Sequence, residues 1–325
     1  AGILVDGEYG GIGCGAQEMG IVCQEAGRTL AATPLFSTAV LGAGLIGAAG
    51  SPAQKQSLLP KIANGETLTA LALEETAHHA PAQVALDAKK SGAGYTLSGE
   101  KRFVMDGHIA DKIIVAARTS GESGQQNGIT LFIVDADTKG LTITRTSMVD
   151  SRNAANITFD KVAVAADDIV GSLDDGFSTL DNVLDMARAC MAAEMLGGIE
   201  VVFDTTLTYL KERKQFGAHI GSFQALQHRA ADMFCEIEIC RSVVLNALSA
   251  LSERRNDAAQ STSLAKARVT QAARLITNEG VQMHGGVGMT DEYDVGLYMK
   301  RARVQAQIFG DTRYHEARYA DLGGY

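Results

Sequence analysis

The chain has 325 residues, of which 46% are hydrophobic and 21% charged, an ordinary globular composition that can bury a sizeable core over two or three domains or subdomains. Its formal net charge of -9 argues against nucleic acid, which rewards basic surfaces. No apolar run reaches the length of a membrane span and none resembles a signal peptide, so no membrane partner is expected and the location is expected to be cytoplasmic.

Residues 1–68 have a small, helical texture without strand alternation. Glycine-rich GGIGCG (Gly10 to Gly15) lacks the preceding strand and βαβ context of a dinucleotide loop, so a turn entering a helix is expected. In SPAQKQSLLPKIANGE, Ser51 is a candidate N-cap with Pro52 at the first helical position. Over residues 69–172 the pattern changes to short β-branched runs such as KIIVAARTS and ITLFIVDAD, broken by Gly, Asp and Ser, which predicts an antiparallel β-domain. His78, His79 and His108 have no metal-ligand spacing and read as solvated loop histidines, so no metal is expected.

Helices return over residues 173–325. Leu226, Ala230, Met233, Ile237, Cys240, Val244, Leu248 and Leu251 step by three and four and form one apolar stripe. The stretch RRNDAAQ breaks that helix, and the next is expected to start near Ser263. Long helices joined by short loops predict an antiparallel bundle. The five cysteines, Cys14, Cys23, Cys190, Cys235 and Cys240, read as reduced core residues.

Two motifs carry the most chemistry. RKQFGAHIGSFQALQHRAADM runs from Arg213 to Met233, and QMHGGVGMTDEYDVGLYMKRARV from Gln282 to Val304. Alone, Arg213 would be a solvated helix C-terminus satisfying the macrodipole. Together, an arginine can compensate negative charge, and Gly285 with Gly286 leaves backbone N–H groups closely approachable.

In order and spacing these motifs resemble the acyl-CoA dehydrogenase family. The resemblance runs nearly end to end through EYGGIG, GSPAQKQSLLPKIANGE and SGEKRFVMDG, with the family's usual first helix missing or shortened. It implies an α+β fold: a helical domain (1–68), a middle antiparallel β-domain (69–172) and a C-terminal four-helix-bundle domain for oligomerisation (173–325). It implies FAD as cofactor. Arg213, Gln215, Phe216, Gln224, Gln282, Gly285 and Gly286 would hold adenosine and pyrophosphate across a subunit interface, with Phe103, Met105 and Thr312 as further cofactor contacts. Asp185 and Arg188, three apart on one helix, would line the acyl-CoA channel, and Arg255, beside Arg254, would meet the CoA nucleotide.

The chain departs from the family at three points. Glu74 stands at the Thr of Thr-Glu-Pro and Ala80 at the Ser of Gly-x-Gly-Ser-Asp. Phe103, Val104 and Met105 replace Trp-x-Thr, and Met105 offers no hydroxyl donor. The Tyr-Glu-Gly-Thr turn that carries the catalytic Glu reads IFGDTRYH, with Gly310 at the Glu position, and the alternative site on the Arg188 helix is Ala187. The candidate base is therefore Asp311, whose other reading is the N-cap of the terminal helix.

The expected activity is α,β-dehydrogenation of an acyl-CoA to a trans-2-enoyl-CoA, with electrons leaving through an electron-transferring flavoprotein. The alternative is a non-catalytic partner subunit that completes the FAD site of another chain. The FGDTRYH ending resembles subunits of mixed α2β2 members acting on bulky substrates such as steroid side-chain CoA esters. Either a homo-oligomer or a hetero-oligomer with a paralogous subunit is implied.

Overall fold

A computed structural model describes residues 1–325, and contacts divide the chain into two compact units. No helix is long and apolar enough to cross a membrane.

The first unit comprises residues 1–15 and 32–187. The GGIGCG segment forms a turn after a short 3-10 helix (Gly7–Tyr9) and leads to α1 (Ala16–Arg28), which belongs to the second unit. A π-helical segment (Leu35–Gly42) and α2 (Ala43–Ala49) precede α3 (Pro52–Ala63). At the start of α3, Ser51 Oγ accepts from Gln54 N (3.2 Å) and Gln54 Oε1 accepts from Ser51 N (2.9 Å). The Ser51 cap, with Pro52 in the first turn, is what the sequence implied, and the return bond from Gln54 makes it a reciprocal capping box.

Eight strands follow: β1 (Thr69–Ala72), β2 (Asp87–Ser91), β3 (Gly94–Met105), β4 (Lys112–Arg118), β5 (Ile129–Asp135), β6 (Leu141–Ser147), β7 (Asn153–Ala165) and β8 (Ile169–Val170). They form one sheet in the order β6-β7-β3-β2-β4-β5-β8, with β1 beside β4. The sheet is mixed rather than purely antiparallel, because β1 pairs β4 in parallel. The β2–β3 hairpin lies between those two strands in sequence, so they are not joined by a tight turn and need not run in opposite directions. Leu97, Ile113, Val115, Phe132, Ile157 and Phe159 are buried in the core of this sheet, and Tyr95 packs on Phe132 at 5.4 Å.

The second unit comprises residues 16–31 and 188–325. It holds α1, most of α4 (Phe177–Glu212), a hairpin of β9 (Lys214–Gln215) and β10 (Ala218–His219), α5 (Gln224–Ser252), α6 (Ala258–His284), α7 (Val295–Gln305) and α8 (Thr312–Gly323). The stripe on α5 faces inward: Met233, Ile237, Cys240, Val244 and Leu248 are buried. Helix α6 starts at Ala258, five residues before the expected Ser263, because Asp257 O already accepts from Ser261 N and opens the ladder. Buried Glu200 accepts from Gln24 and Arg28 of α1 and Arg241 of α5, and Glu194 pairs with Arg301 of α7 at 2.9 Å. Each carboxylate thus joins α4 to its neighbours with its charge compensated. Cys23, Cys190 and Cys240 are buried as expected, whereas Cys14 is half-buried and Cys235 is exposed on the outer face of α5.

Candidate functional site

The first motif folds as a tight hairpin between two long helices. Gln215 pairs with Ala218 and Lys214 with His219, leaving Phe216 and Gly217 as the two turn residues, with φ of 56° and 77°. Two consecutive left-handed residues define the type I′ turn that matches strand twist, and Gly217 is suited to its place. Phe216 is not, and its side chain is 91% exposed. A large apolar ring is thus held in a disfavoured backbone region and offered to solvent, edge-on to Phe223 at 6.3 Å. Arg213 and Gln215 are exposed beside it, and Gln224 opens α5 on the same exposed stretch.

The second motif ends α6. Gln282 is exposed on its last turn, and Gly285 leaves the helix with φ of 65°. Gly286 follows in a short 3-10 segment (Gly285–Met289). A side chain added at Gly285 or Gly286 would meet nothing within 4 Å, so both backbones border open space. An open glycine pair with an exposed arginine and aromatic ring in the same helical unit fits the adenosine and pyrophosphate half of FAD.

The turn before α8 is built differently. Asp311 is the N-cap of α8: its Oδ1 accepts from Tyr314 N at 2.9 Å. Gly310 has φ of 106°, and a Cβ there would lie 2.4 Å from Tyr314 Cδ1 and 2.9 Å from His315 Nε2. The space of a side chain at position 310 is filled by the Tyr314 ring. Arg188, fully buried, donates to Tyr314 Oη at 3.2 Å with its guanidinium carbon 5.7 Å from the ring centroid. Arg188 and Ala187 are fully buried, and Asp185 is 5% exposed. Below the turn, fully buried Lys266 donates to Gln305 O (3.0 Å) and Gly310 O (2.9 Å), and His315 Nε2 donates to Phe309 O (3.0 Å). Burial pushes the Lys266 ammonium down to about 7, with Asp311 opposing and Arg188 adding to the shift. Thr312 is the half-buried first residue of α8.

In the first unit, a register break between Lys101 and Val104 on β3 puts Phe103 at a bulge, with φ of 50° and its side chain 52% exposed. Bulges re-aim side chains in this way. Met105 is half-buried. The loop before β2 is fixed by two charged side chains, half-buried Glu75 and buried Arg118. Glu75 accepts from Lys101 Nζ (2.7 Å), Ala85 N (2.9 Å) and Leu86 N (2.9 Å), while Arg118 donates to the carbonyls of Ala82, Val84, Gln125 and Asn127. Glu74 turns into its own loop, with Oε1 2.5 Å from His79 Nδ1 and Oε2 accepting from Ala80 N. His79 is thus a hydrogen-bonded partner of Glu74 with its side chain enclosed, not a solvated residue, because Glu74 folds back onto it in a way that spacing alone does not reveal. His108 is half-buried with Nδ1 enclosed, and His78 alone of the three is exposed. Arg255 makes a bidentate pair with Asp257, at 2.9 and 2.6 Å, and donates to Asn246; Arg254 is exposed.

Comparison with known proteins covers almost the whole chain. Three family models match: Acyl-CoA dehydrogenase, N-terminal domain over residues 1–66, middle domain over 72–162 and C-terminal domain over 174–321. The short/branched chain specific acyl-CoA dehydrogenase of Bos taurus is 32% identical over 93% of this chain and 71% of its own length. A probable acyl-CoA dehydrogenase of Bacillus subtilis is 34% identical over 93% of this chain and 81% of its own. Butyryl-CoA dehydrogenase from Megasphaera elsdenii superimposes with a TM-score of 0.93 at 28% identity, covering 100% of this chain and 87% of that one. A variant of the Tcur3481–Tcur3483 steroid ACAD gives a TM-score of 0.88 at 31% identity, covering 99% and 85%.

Proposed function

The chain belongs to the acyl-CoA dehydrogenase family, and from that premise we propose that it is one component of an FAD-dependent acyl-CoA dehydrogenase, completing the flavin site of a companion chain that supplies the base. The observation that carries this reading is the contrast between two parts of one helical unit. The hairpin and the glycine turn are open and exposed, whereas the base turn has Gly310 at the position of the acid and Tyr314 in the space a side chain would need.

The chemistry that FAD supplies when bound is acceptance of a hydride from the acyl β-carbon. This chain's contribution is to binding. Arg213 would compensate diphosphate charge, the open Gly285 and Gly286 backbones would offer N–H groups to it, and the exposed Phe216 ring would supply an apolar surface for the adenosine. Gln215, Gln224 and Gln282 supply polar contacts around them. The α-proton of a thioester needs a carboxylate within hydrogen-bond reach, and positions 310 and 187 have none. The companion chain then delivers that carboxylate, and an electron-transferring flavoprotein takes the electrons onward. The paired designation of the steroid ACAD relative supports an assembly of two different chains. A second reading keeps the reaction on this chain, with Asp311 as base; it is favoured by the cap, which occupies only Oδ1 of that carboxylate.

The visible spectrum of the chain expressed alone and with a paralogous companion, recorded before and after anaerobic addition of a panel of acyl-CoAs, separates the two. Bleaching only in the co-expressed sample is the expected result. Bleaching by this chain alone would overturn the component reading, and Asp311→Asn would then be expected to abolish it.

A further inference from the structure

The two halves of the cofactor corner are far apart in sequence, yet one aromatic stack in the second unit ties them together. Tyr209 lies one turn before Arg213, whose N–H donates to Tyr209 O at 2.9 Å. The Tyr209 ring stacks on His284 with centroids 4.4 Å apart and planes at 26°, and its hydroxyl donates to His284 O at 3.2 Å. His284 is the residue immediately before Gly285. Tyr293, beyond the glycine turn, closes on both rings, 4.9 Å from His284 and 5.5 Å edge-on to Tyr209. One turn earlier, a Cβ at Gly280 would lie 2.5 Å from Val202, so α4 and α6 touch there and set the depth at which the rings meet.

The state of His284 indicates that this arrangement serves more than packing. Its ring is 2% exposed, and Nδ1 lies 2.7 Å from Gly280 O. A carbonyl only accepts, so Nδ1 carries the proton and Nε2 is a bare acceptor. That Nε2 is buried without a hydrogen-bond partner. An apolar side chain would avoid the unpaired acceptor, and a residue kept against that cost points to a positional requirement.

We propose that the Tyr209–His284–Tyr293 stack is a positioning device that fixes the span between the Arg213–Phe216 hairpin and the Gly285–Gly286 turn, so that His284 governs affinity for the diphosphate and adenosine of FAD without touching them. The proposal rests on reading this corner as an FAD contact. Tyr209 anchors the end of α4 from which the hairpin springs, and His284 anchors the end of α6 from which the glycine turn springs. Loosening either anchor lets the two segments drift, and preorganisation of the corner is lost.

The test is a double-mutant cycle on the flavin-binding assembly, stripped of flavin and titrated with FAD and separately with FMN, which lacks the adenosine half. His284→Leu is expected to weaken FAD binding by about tenfold, as loss of an outer-shell support typically does, and to leave FMN binding unchanged. In the Arg213→Ala background the same substitution is expected to have little further effect, because the group it positions is gone. Tyr209→Phe, which deletes one hydroxyl and keeps the ring, should show the same pattern more weakly and serves if His284→Leu does not fold. Additive effects of His284→Leu and Arg213→Ala, equal loss of FAD and FMN, or FAD affinity within about twofold of wild type would each overturn the positioning role. Unchanged FAD affinity in Arg213→Ala alone would instead overturn the reading of the corner.

Discussion

Reinstalling a side chain at position 310 tests the account of the base turn most directly. Gly310 has φ of 106°, where an L-residue carries about 1–3 kcal/mol of backbone strain. The added Cβ would also stand 2.4 Å from Tyr314 Cδ1 and 2.9 Å from His315 Nε2. Neither neighbour is free to yield. His315 is held by Phe309 O, Tyr314 by Arg188, and Gly310 O by Lys266. Forcing an extra carbon into such a site adds about 1–3 kcal/mol. Gly310→Ala is therefore expected to destabilise the second unit by about 2–6 kcal/mol, the combined range of these two effects. The chain has no tryptophan, so urea unfolding followed by far-UV circular dichroism is the suitable assay. In a Tyr314→Ala background the clash with the ring should vanish while the backbone strain and the His315 contact remain, leaving a coupling of up to about 3 kcal/mol. A Gly310→Ala variant within about 0.5 kcal/mol of wild type would refute the reasoning. It would also reopen the simplest engineering route, Gly310→Glu, which on this account cannot restore a base without rebuilding the turn.

Three further outcomes follow from the same geometry. Lys266 binds its proton more weakly folded, at about 7, than unfolded, at 10.5, so the unfolded state holds more protons between those values. Stability is expected to rise with pH across that window, by up to about 5 kcal/mol from this group; Lys266→Met should flatten the rise in urea midpoints, and an unchanged slope would contradict the assignment. Glu75→Gln leaves the fully buried Lys101 ammonium without its counter-charge, for which a loss of about 3–5 kcal/mol is expected; a loss under about 1 kcal/mol would mean the pair is solvated. Phe216→Ala should change the stability of the chain alone by less than about 0.5 kcal/mol, since the ring is 91% exposed, while weakening FAD retention in the assembly; the prediction fails if retention is unchanged.

What the sequence made legible depended on how local each signal is. The Ser51 cap followed by Pro52 is a local signal, and the stripe on α5 repeats every turn, so both were legible in the sequence, whereas the return bond from Gln54 was not read. The runs Arg213 to Gln224 and Gln282 to Gly286, which we propose as the cofactor corner, stand out for the same reason, since each is short and contiguous. The sheet was readable as strands but not as a parallel β1–β4 pair, since that pairing joins Thr69 to Lys112 across an intervening hairpin. His79 was misread because its partner Glu74 becomes visible only when the loop folds back on itself. The Lys266 clamp and the Tyr209–His284 stack were not readable at all, as each joins helices separated by dozens of residues and neither leaves a spacing pattern.

The base turn shows how local and non-local signals combine. Sequence left Asp311 with two readings, and the structure adds that its Oδ1 caps α8 while Tyr314, Lys266 and His315 hold the residues on either side of Gly310. A turn that had merely lost its acid would be under no pressure to keep the vacated space closed. Here the space is filled by an aromatic ring that a buried arginine engages, and the carbonyl of the glycine is fixed by a buried lysine. The hairpin of the same unit contrasts with this closed turn, because its Phe216 is 91% exposed at a φ of 56°.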